Sequence, residues 1–291
     1  MGSVKIIPME LISQSDNTLL LNELRSHGVL LVRSEGEHAD LGDFEKFTQT
    51  LASSFTVHGN PARSLISDDG FTQEVDAGTH ALPPHSEMTY MPFYPDTMWF
   101  YCVQPPQAQG ETTVFDGVEM LERLSVETRE FLQSNRLKYK HIYPRSAWSR
   151  TVPVETAAEA AALIESVLPL FSSRGEFTFF FDDEDNMHAQ YLTSAISTSK
   201  DGVPTFSNSL EISFVPRVIE LRGGSVEMED GTPMPQAILD EISVIGKQVE
   251  SKISWQKGDI LMIDNTRVMH GRRSIVSQDD RQLFVRLGNR H

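Results

Sequence analysis

Apolar positions recur at two different spacings along the chain, and the spacing separates predicted helices from predicted strands. Residues 17–27 and 40–54 repeat apolar side chains every three or four positions, as the buried face of a helix requires. Asp43 is a candidate N-cap for the second of these helices. The run GVLLVRS, from Gly28 to Ser34, is instead continuously apolar at its centre and predicts a short buried strand.

The same two patterns continue through the rest of the chain. Helical spacing predicts helices over 117–135, 155–169 and 233–251. Runs of β-branched, aromatic and aliphatic residues predict strands over 96–104, 111–116, 176–181, 253–255, 259–264 and 282–287. Short helices before and between many strands favour a mainly β fold with helical insertions. A length of 291 residues suits one such unit, and we predict a single domain over 1–291.

Composition and charge narrow the class of partner. The chain is 39% hydrophobic and carries a formal net charge of -16. An acidic surface of this kind repels nucleic-acid backbones and anionic lipid, so we expect neither as a partner. An anionic small molecule is still compatible, since one or two buried arginines would set the local field.

Cellular setting is predicted from three weak signals. The single cysteine, Cys102, excludes an intrachain disulfide and a cysteine-based zinc site. Residues 1–11 lack the basic and apolar regions of a signal peptide, and no apolar run approaches about 18 residues. We therefore expect a cytoplasmic protein, and whether it forms a homo-oligomer stays open.

The candidate chemistry begins with an H-x-E pattern at His85 and Glu87. Residues two apart on a strand point to the same side, so this imidazole and carboxylate could share one ion. His270 follows an apolar strand candidate far downstream. Two histidines and one carboxylate form the facial triad of non-haem Fe(II) oxygenases, which leaves three positions open. Each residue alone is more simply explained as part of a hydrogen-bonded surface pair.

A possible anion clamp follows the second histidine. Arg281 lies eleven residues after His270, and its guanidinium could hold a carboxylate through two hydrogen bonds. Thr112 could add a hydroxyl to the same carboxylate. The simpler alternatives are a surface ion pair of Arg281 with Asp279 or Asp280 and an ordinary strand threonine. The acidic cluster over 182–185 is interpreted as a solvated turn, because it lacks the spacing of a calcium loop.

Three segments together resemble a known family. They are HSEMTY from His85, QPPQAQGETTVFDG from Gln104, and WQKGDILMIDNTRVMHGRR from Trp255, with an arginine beyond. This combination resembles the TauD/TfdA (taurine dioxygenase-like) family over nearly the whole chain. The resemblance implies a double-stranded β-helix, or jelly roll, with helical insertions.

The resemblance also implies roles for individual residues. His85, Glu87 and His270 match the catalytic iron ligands, and Thr112 and Arg281 match the residues that bind 2-oxoglutarate. The implied reaction uses Fe(II), 2-oxoglutarate and O2 to oxidise an unactivated C–H bond, and releases succinate and CO2. The W-x-x-G-D and D-N signature residues are expected to act structurally; they are Trp255, Gly258, Asp259, Asp264 and Asn265.

Two departures from the family pattern affect the expected chemistry. The carboxylate is Glu87, where many members have aspartate, and its presence disfavours halogenation, which needs that position for chloride. Taurine dioxygenase has a second arginine four residues after the clamp, but this chain has Val285 there. Arg286 follows one position later and should face away from Arg281 on a strand. A taurine-type substrate is therefore disfavoured.

Substrate contacts are predicted only as a set of candidates around the ligands. They are His58, Asn60, Arg63, Met88, Tyr90, Arg145, Asn208 and Met269. Their mixture of aromatic, cationic and amide groups favours a small, amino-acid-derived substrate, for example an isonitrile derivative, undergoing hydroxylation or desaturation in natural-product biosynthesis. Two other functions were weighed: a non-catalytic metal-binding jelly-roll module, and a zinc-type hydrolase.

Overall fold

The largest sheet lies at the centre of the fold. The structure is a computed structural model that describes residues 4–9, 17–33, 39–76, 78–216, 219, 224–277 and 281–291. Seven strands form this sheet, in the order β1–β2–β15–β6–β17–β3 with β4 paired to β17. Their bounds are β1 Lys5–Pro8, β2 Val29–Arg33, β3 Ala52–Thr56, β4 Gln73–Glu74, β6 Thr97–Gln104, β15 Ile260–Asp264 and β17 Gln282–Arg290.

A second sheet of four strands contributes to the same core. Its order is β14–β7–β16–β5, with bounds β5 Leu82–His85, β7 Thr112–Asp116, β14 Ser251–Ile253 and β16 Val268–Arg272. Side chains from both sheets, such as Phe100, Val114, Leu261 and Val285, belong to one buried apolar cluster. Two sheets that enclose one core form the predicted double-stranded β-helix, so the mainly β fold class is confirmed.

Helices cover the outer face of the large sheet. Leu30 and Val32 of β2 pack against α1 (Asn17–His27) and α2 (Leu41–Leu51), while Val29 and Leu31 face the inner core. Because successive strand residues alternate between faces, a strand covered on both sides must be apolar throughout. This is why GVLLVRS is a continuous apolar run.

The middle of the chain forms an insertion with its own sheet. The order is β13–β8–β10–β9, and the bounds are β8 Arg136–Tyr143, β9 Glu176–Phe181, β10 Met187–Ser194 and β13 Ser225–Met228. The remaining elements are the short pair β11 Ser197–Thr198 and β12 Pro204–Thr205, helices α3 Gly117–Arg123, α4 Val126–Ser134, α5 Arg145–Trp148, α6 Ala157–Val167 and α7 Gln236–Val249, and 3-10 turns at Leu168–Arg174 and Glu211–Phe214. Across the described residues, no helix has the length and apolarity needed to span a bilayer.

Two predicted helices needed correction. The single helix predicted over 117–135 is two helices: the first ends at Arg123, and Ser125 caps the second by accepting a hydrogen bond from the Thr128 amide. The helix predicted over 40–54 ends at Leu51. Its N-cap is Asp40, and Asp43 is the reciprocal partner of Asp40 in a capping box.

The predicted solvated turn over 182–185 has a local explanation. The Asp182 carboxylate accepts hydrogen bonds from the Glu184 and Asn186 amides. It also lies 2.8 Å from Nε2 of His188. The carboxylate is therefore occupied in organising its own turn.

Candidate active site

Three buried side chains converge at one edge of the four-stranded sheet. His85, Glu87 and His270 each offer a ligand atom, and these atoms lie within 4.8 Å of one another. His85 and His270 are direct neighbours across the β5–β16 pair. The structure thus brings His270 to His85 and Glu87, although 183 positions separate His270 from Glu87 in the sequence.

The backbone around Glu87 differs from the strand expected for H-x-E. His85 is the last residue of β5, and Glu87 begins a turn in which Met88 has φ of 63°. The side chain of Asn265 holds this turn: it accepts from the Glu87 amide at 2.7 Å and donates to the Glu87 carbonyl at 2.9 Å. Glu87 therefore reaches the cluster from a clamped turn, and the alternation of a strand does not explain its direction.

The two imidazoles are oriented differently. Nδ1 of His85 lies 2.9 Å from the Pro83 carbonyl oxygen, which can only accept, so Nδ1 carries the proton and Nε2 the lone pair. Nε2 of His270 lies 3.7 Å from Oε2 of Glu87.

The close approach of β5 to β16 requires a glycine after His270, since a Cβ at Gly271 would lie 2.6 Å from the Leu82 carbonyl oxygen.

Burial and neighbouring charges give the His85–Glu87–His270 cluster protonation states that favour binding of a cation. Burial lowers the pKa of His270 to about 3, helped by the neighbouring His85, so its imidazole is neutral near pH 7. Burial alone would raise the pKa of Glu87, but the charge of Arg63 and the nearby histidines outweigh it and lower the pKa to about 2. A neutral imidazole on His270, an ionised carboxylate on Glu87 and the imidazole of His85 form a donor set that suits a divalent iron ion.

A cavity extends from the cluster to a cationic wall. It is lined by Arg63, Val75, Asp76, Leu82, His85, Glu87, Phe100, Thr112, His270, Gly271, Arg272, Arg281 and Val285. The Arg281 Nη2 donates to Oγ1 of Thr112 at 3.2 Å, and the Trp255 indole donates to the same oxygen at 3.1 Å. Trp255, which the sequence assigned a structural role, therefore fixes the threonine beside the arginine.

Arg281 lacks a compensating charge in the part of the chain described. Its Nε is fully buried and has no hydrogen-bond partner there, and no described carboxylate forms an ion pair with it. Burial lowers its pKa to about 9, and the charge of Arg272 adds to this. A cation with a buried Nε and an open fork at the wall of a cavity is suited to bind an anion. The alternative partners Asp279 and Asp280 lie outside the described residues.

The neighbouring arginines are engaged elsewhere, and for Arg286 the strand alternation predicted this. Arg286 is fully buried on the opposite face of β17, where it pairs with Asp69 at 2.6 Å and stacks over Phe55. Arg273 pairs with Glu250 at the surface. Neither guanidinium lines the cavity.

Four of the predicted substrate residues form one polar wall beside Glu87. Arg63 makes a two-point ion pair with Asp76, and Asn60 donates to the same carboxylate. Nε2 of His58 lies 3.0 Å from the Tyr90 hydroxyl and 3.4 Å from Oε1 of Glu87. Tyr90 packs against His141, with ring centroids 4.8 Å apart. The structure therefore places His58 and Arg63 beside Glu87 of the His85–Glu87–His270 cluster. Tyr90 contacts His58, and Asn60 contacts Asp76, the partner of Arg63.

The other predicted substrate residues separate into two groups. Met88 and Met269 are buried beside the ligands in the apolar core. Asn208 holds local backbone: its side chain donates to the Ala195 carbonyl and accepts from the Leu210 amide. Arg145 is exposed and pairs with Asp185 on the insertion, away from the cavity lining. Substrate contact by Arg145 has no support from these contacts.

Sequence reasoning missed two residues that shape the cavity. Asp76 anchors Arg63 and carries no motif of its own. Arg272 is buried, and its guanidinium donates to the carbonyls of Asp76, Gly78 and His80. The H-G-R-R stretch after the second histidine contained a usable signal, because alternation on β16 places Arg272 on the same side as His270.

Comparison with known proteins agrees with this geometry. The family model described as "Taurine catabolism dioxygenase TauD, TfdA family" matches residues 7–287. A clavaminate synthase-like protein of Arabidopsis thaliana is 24% identical over 242 residues, covering 75% of this chain and 68% of the relative. The 3-((Z)-2-isocyanoethenyl)-1H-indole synthase of Fischerella ambigua is 21% identical over 229 residues, covering 78% and 66%. The chain thus spans about two thirds of the length of these relatives.

Solved structures support the same fold. PvcB of Pseudomonas aeruginosa superposes with a TM-score of 0.59 at 14% identity, covering 95% of this chain and 80% of PvcB. A taurine dioxygenase of Burkholderia xenovorans gives 0.58 at 12% identity, covering 98% and 86%. Together with the match of the family model over nearly the whole chain, these findings establish that the protein belongs to the TauD/TfdA family of Fe(II)- and 2-oxoglutarate-dependent dioxygenases.

Proposed function

We propose that His85, Glu87 and His270 hold the iron of this dioxygenase and that Arg281 and Thr112 hold the distal carboxylate of 2-oxoglutarate. One observation carries this assignment. A buried two-histidine, one-carboxylate cluster lies in the same cavity as an arginine that has no carboxylate partner among the described residues. A dicarboxylate that chelates the metal at one end would neutralise that arginine at the other.

The protein's own groups would act by holding and orienting. The neutral imidazole of His270 and the ionised Glu87 are ready to bind without losing protons. Phe100, Leu82 and Val285 supply an apolar wall that limits water at the reacting centre. When bound, Fe(II) and 2-oxoglutarate together supply the O2-dependent oxidising power for an unactivated C–H bond, with release of succinate and CO2.

The proposed substrate is a small amino-acid-derived molecule, with an isonitrile derivative as the leading candidate. Two relatives support this class by their descriptions: an isocyanoethenyl-indole synthase, and PvcB, an oxygenase from an isonitrile synthetic pathway. In this chain, Tyr90, His58 and His141 offer aromatic and polar surface beside the metal cluster. Hydroxylation and desaturation both begin with removal of one hydrogen, and the groups that would bind iron serve either outcome.

We further propose a single domain over 1–291 that acts in the cytoplasm, without nucleic-acid or membrane partners. The net charge of -16 supports the proposal that nucleic acids and membranes are not partners. The lone thiol, Cys102, is buried in the core and burial raises its pKa to about 12, so it suits a reducing compartment and offers no exposed reactive group. A measurement of the mass of the protein in solution would show whether it forms a homo-oligomer.

An anaerobic visible spectrum tests the proposed site. Fe(II) and 2-oxoglutarate added together should produce a weak charge-transfer band that neither produces alone, because chelation by the 2-oxo acid is needed. His270→Ala should remove both the band and stable metal binding, since two ligands rarely hold Fe(II) firmly. His188→Ala is the matched control, because His188 pairs with Asp182 outside the cavity.

Two other results would change the assignment. Bound iron without any band in the wild type would leave a metal site with no co-substrate, as in a binding module or a hydrolase. Full retention of the band in His270→Ala would remove that residue from the ligand set. Once the band is seen, amino-acid and isonitrile derivatives can be ranked by the succinate formed.

A further inference from the structure

Arg63 is a buried cation that the proposed chemistry does not use directly. It is 5% exposed. Its Nε and Nη2 donate to the two oxygens of Asp76 at 3.0 and 2.9 Å, which fixes the plane of the guanidinium. The fixed fork leaves Nη2 pointing at Oε1 of Glu87, 3.4 Å away.

The loop that carries Arg63 is itself held in place. The Asn60 side chain donates to Asp76, and Arg150 donates to the backbone carbonyls of Asn60 and Arg63 at 3.1 and 2.9 Å. Arg272 donates to the Asp76 carbonyl from β16, the strand that carries His270. The position of the guanidinium is therefore set by both sides of the cavity.

The two oxygens of Glu87 have different surroundings. Oε1 faces Arg63 and Nε2 of His58, each at 3.4 Å. Oε2 faces Nε2 of His270 at 3.7 Å. Oε2 is thus directed toward His270, and Oε1 is directed toward the Arg63 guanidinium.

This division matters because the carboxylate is a glutamate. Glutamate has one more rotatable bond than aspartate, so its carboxylate can turn to offer either one or two oxygens to a metal. Carboxylates bind metals in both modes. A second oxygen on the iron would occupy a position that the co-substrate or O2 needs, since a facial triad functions through its open positions.

A role in binding the carboxylate of a substrate fits Arg63 less well. The charge of the guanidinium is already compensated by Asp76 and Glu87, which together raise its pKa despite burial. Arg281 shows the contrast, because its fork has no carboxylate partner among the described residues. Arg63 is better placed to act on Glu87 than to recognise a new anion.

We propose that Arg63, anchored by Asp76, is a positioning residue that holds Oε1 of Glu87 away from the metal and so keeps a coordination position open for 2-oxoglutarate. This inference rests on the proposed iron site. It assigns Arg63 to ligand geometry, where groups around the ligands commonly alter affinity by about 10- to 100-fold.

Arg63→Met tests this role through two separate titrations. Binding of Mn(II), followed by loss of the electron paramagnetic resonance signal of the free ion, should stay within about threefold of wild type or become tighter. The 2-oxoglutarate concentration that gives half of the anaerobic Fe(II) charge-transfer band should rise at least about tenfold. Loss of a structural residue would instead weaken both titrations together.

Two companion variants provide a control and test the partner of Arg63. Arg145→Met removes an arginine that pairs with Asp185 away from the cavity, so half-saturation by 2-oxoglutarate should stay within about threefold of wild type. Glu87→Asp withdraws the carboxylate from Arg63, so adding Arg63→Met to that variant should have little further effect on the titration. If Arg63→Met does not fold, Arg63→Lys takes its place, with a smaller rise expected.

The outcomes are distinguishable. A wild-type protein that shows no charge-transfer band overturns the proposed function itself. A wild-type band with an unchanged 2-oxoglutarate titration in Arg63→Met overturns the positioning role alone. Parallel loss of Mn(II) and 2-oxoglutarate binding, or equal effects of Arg63→Met in the wild-type and Glu87→Asp backgrounds, would also overturn it.

Discussion

Arg281 and Arg63 line the same cavity but differ in what surrounds them. Arg63 contacts two carboxylates, on Asp76 and Glu87. Arg281 contacts the Thr112 hydroxyl and has no described carboxylate partner. Their pKa values diverge accordingly: that of Arg63 is raised, whereas burial lowers that of Arg281 to about 9.

The difference separates an internal role from a binding role. A buried charge costs free energy unless it is paired. The protein supplies the partners of Arg63, so that residue is part of the permanent structure. Arg281 has no such carboxylate partner among the described residues, which is the property of a site that binds an anionic ligand.

Replacing Arg281 should give the largest effect. In Arg281→Leu we expect 2-oxoglutarate binding to weaken by roughly 100- to 1,000-fold, or about 3 to 4 kcal/mol, because a desolvated ion pair with the co-substrate is lost. The ligand-free protein should become more stable, since an unpaired buried charge is removed. Titration of the charge-transfer band and thermal unfolding measure the two effects. Weaker binding without a gain in stability would show that an acidic side chain of the protein already pairs with Arg281.

Arg286 on β17, the strand that begins directly after Arg281, offers the opposite case. It is fully buried and paired with Asp69, so Arg286→Met should destabilise the protein by about 2 to 3 kcal/mol by leaving that carboxylate without its partner. Its side chain lies outside the cavity lining, so half-saturation by 2-oxoglutarate should not change. Denaturant unfolding measures the loss. A large change in co-substrate binding would contradict the division between the two faces of β17.

Glu211 extends the comparison to an acid outside the cavity. One of its oxygens is buried without a partner among the described residues, and burial raises its pKa from 4.5 to about 7, partly offset by Lys247. The folded state therefore keeps a proton that the unfolded state has released, so this contribution to stability is present below pH 4.5 and is lost as the pH rises through 7.

Glu211→Gln removes that dependence. Relative to wild type, the variant should gain about 2 kcal/mol between pH 5 and pH 8. Unfolding at both pH values measures the difference. Glu165→Gln on an exposed position of α6 should show no such gain. Equal stability differences at both pH values would place the Glu211 carboxylate in water.

Local patterns predicted much of this molecule because many of its elements follow from nearest neighbours in sequence. The apolar runs of β2, β6 and β15 and the helical spacing of α1 are visible in the chain itself. The same alternation placed Arg286 opposite Arg281. The cluster of His85, Glu87 and His270 was found by residue type and by resemblance, and their roles as ligands stay a prediction until metal binding is measured.

The features that were missed depend on contacts between distant segments. The Ser125 hydroxyl breaks a helical pattern that is otherwise continuous, and its own partner is Glu241 in α7. The turn at Glu87 depends on Asn265, and the direction of Arg63 depends on Asp76. No periodicity reports such contacts, because each is decided by where the strands bring the chain together.

The hydrogen bonds between Asn265 and Glu87 affect when, during folding, the proposed metal site is completed. Asn265 and Glu87 are 178 residues apart in sequence, so the carboxylate gains its direction only after loops of great length have closed. Contacts of this kind form late and slowly during folding. A partly folded chain would present His85 and Glu87 without His270, a set too small to retain iron. If these residues bind the iron as proposed, we expect metal capture to follow closure of the barrel, so that the iron meets O2 inside a finished cavity.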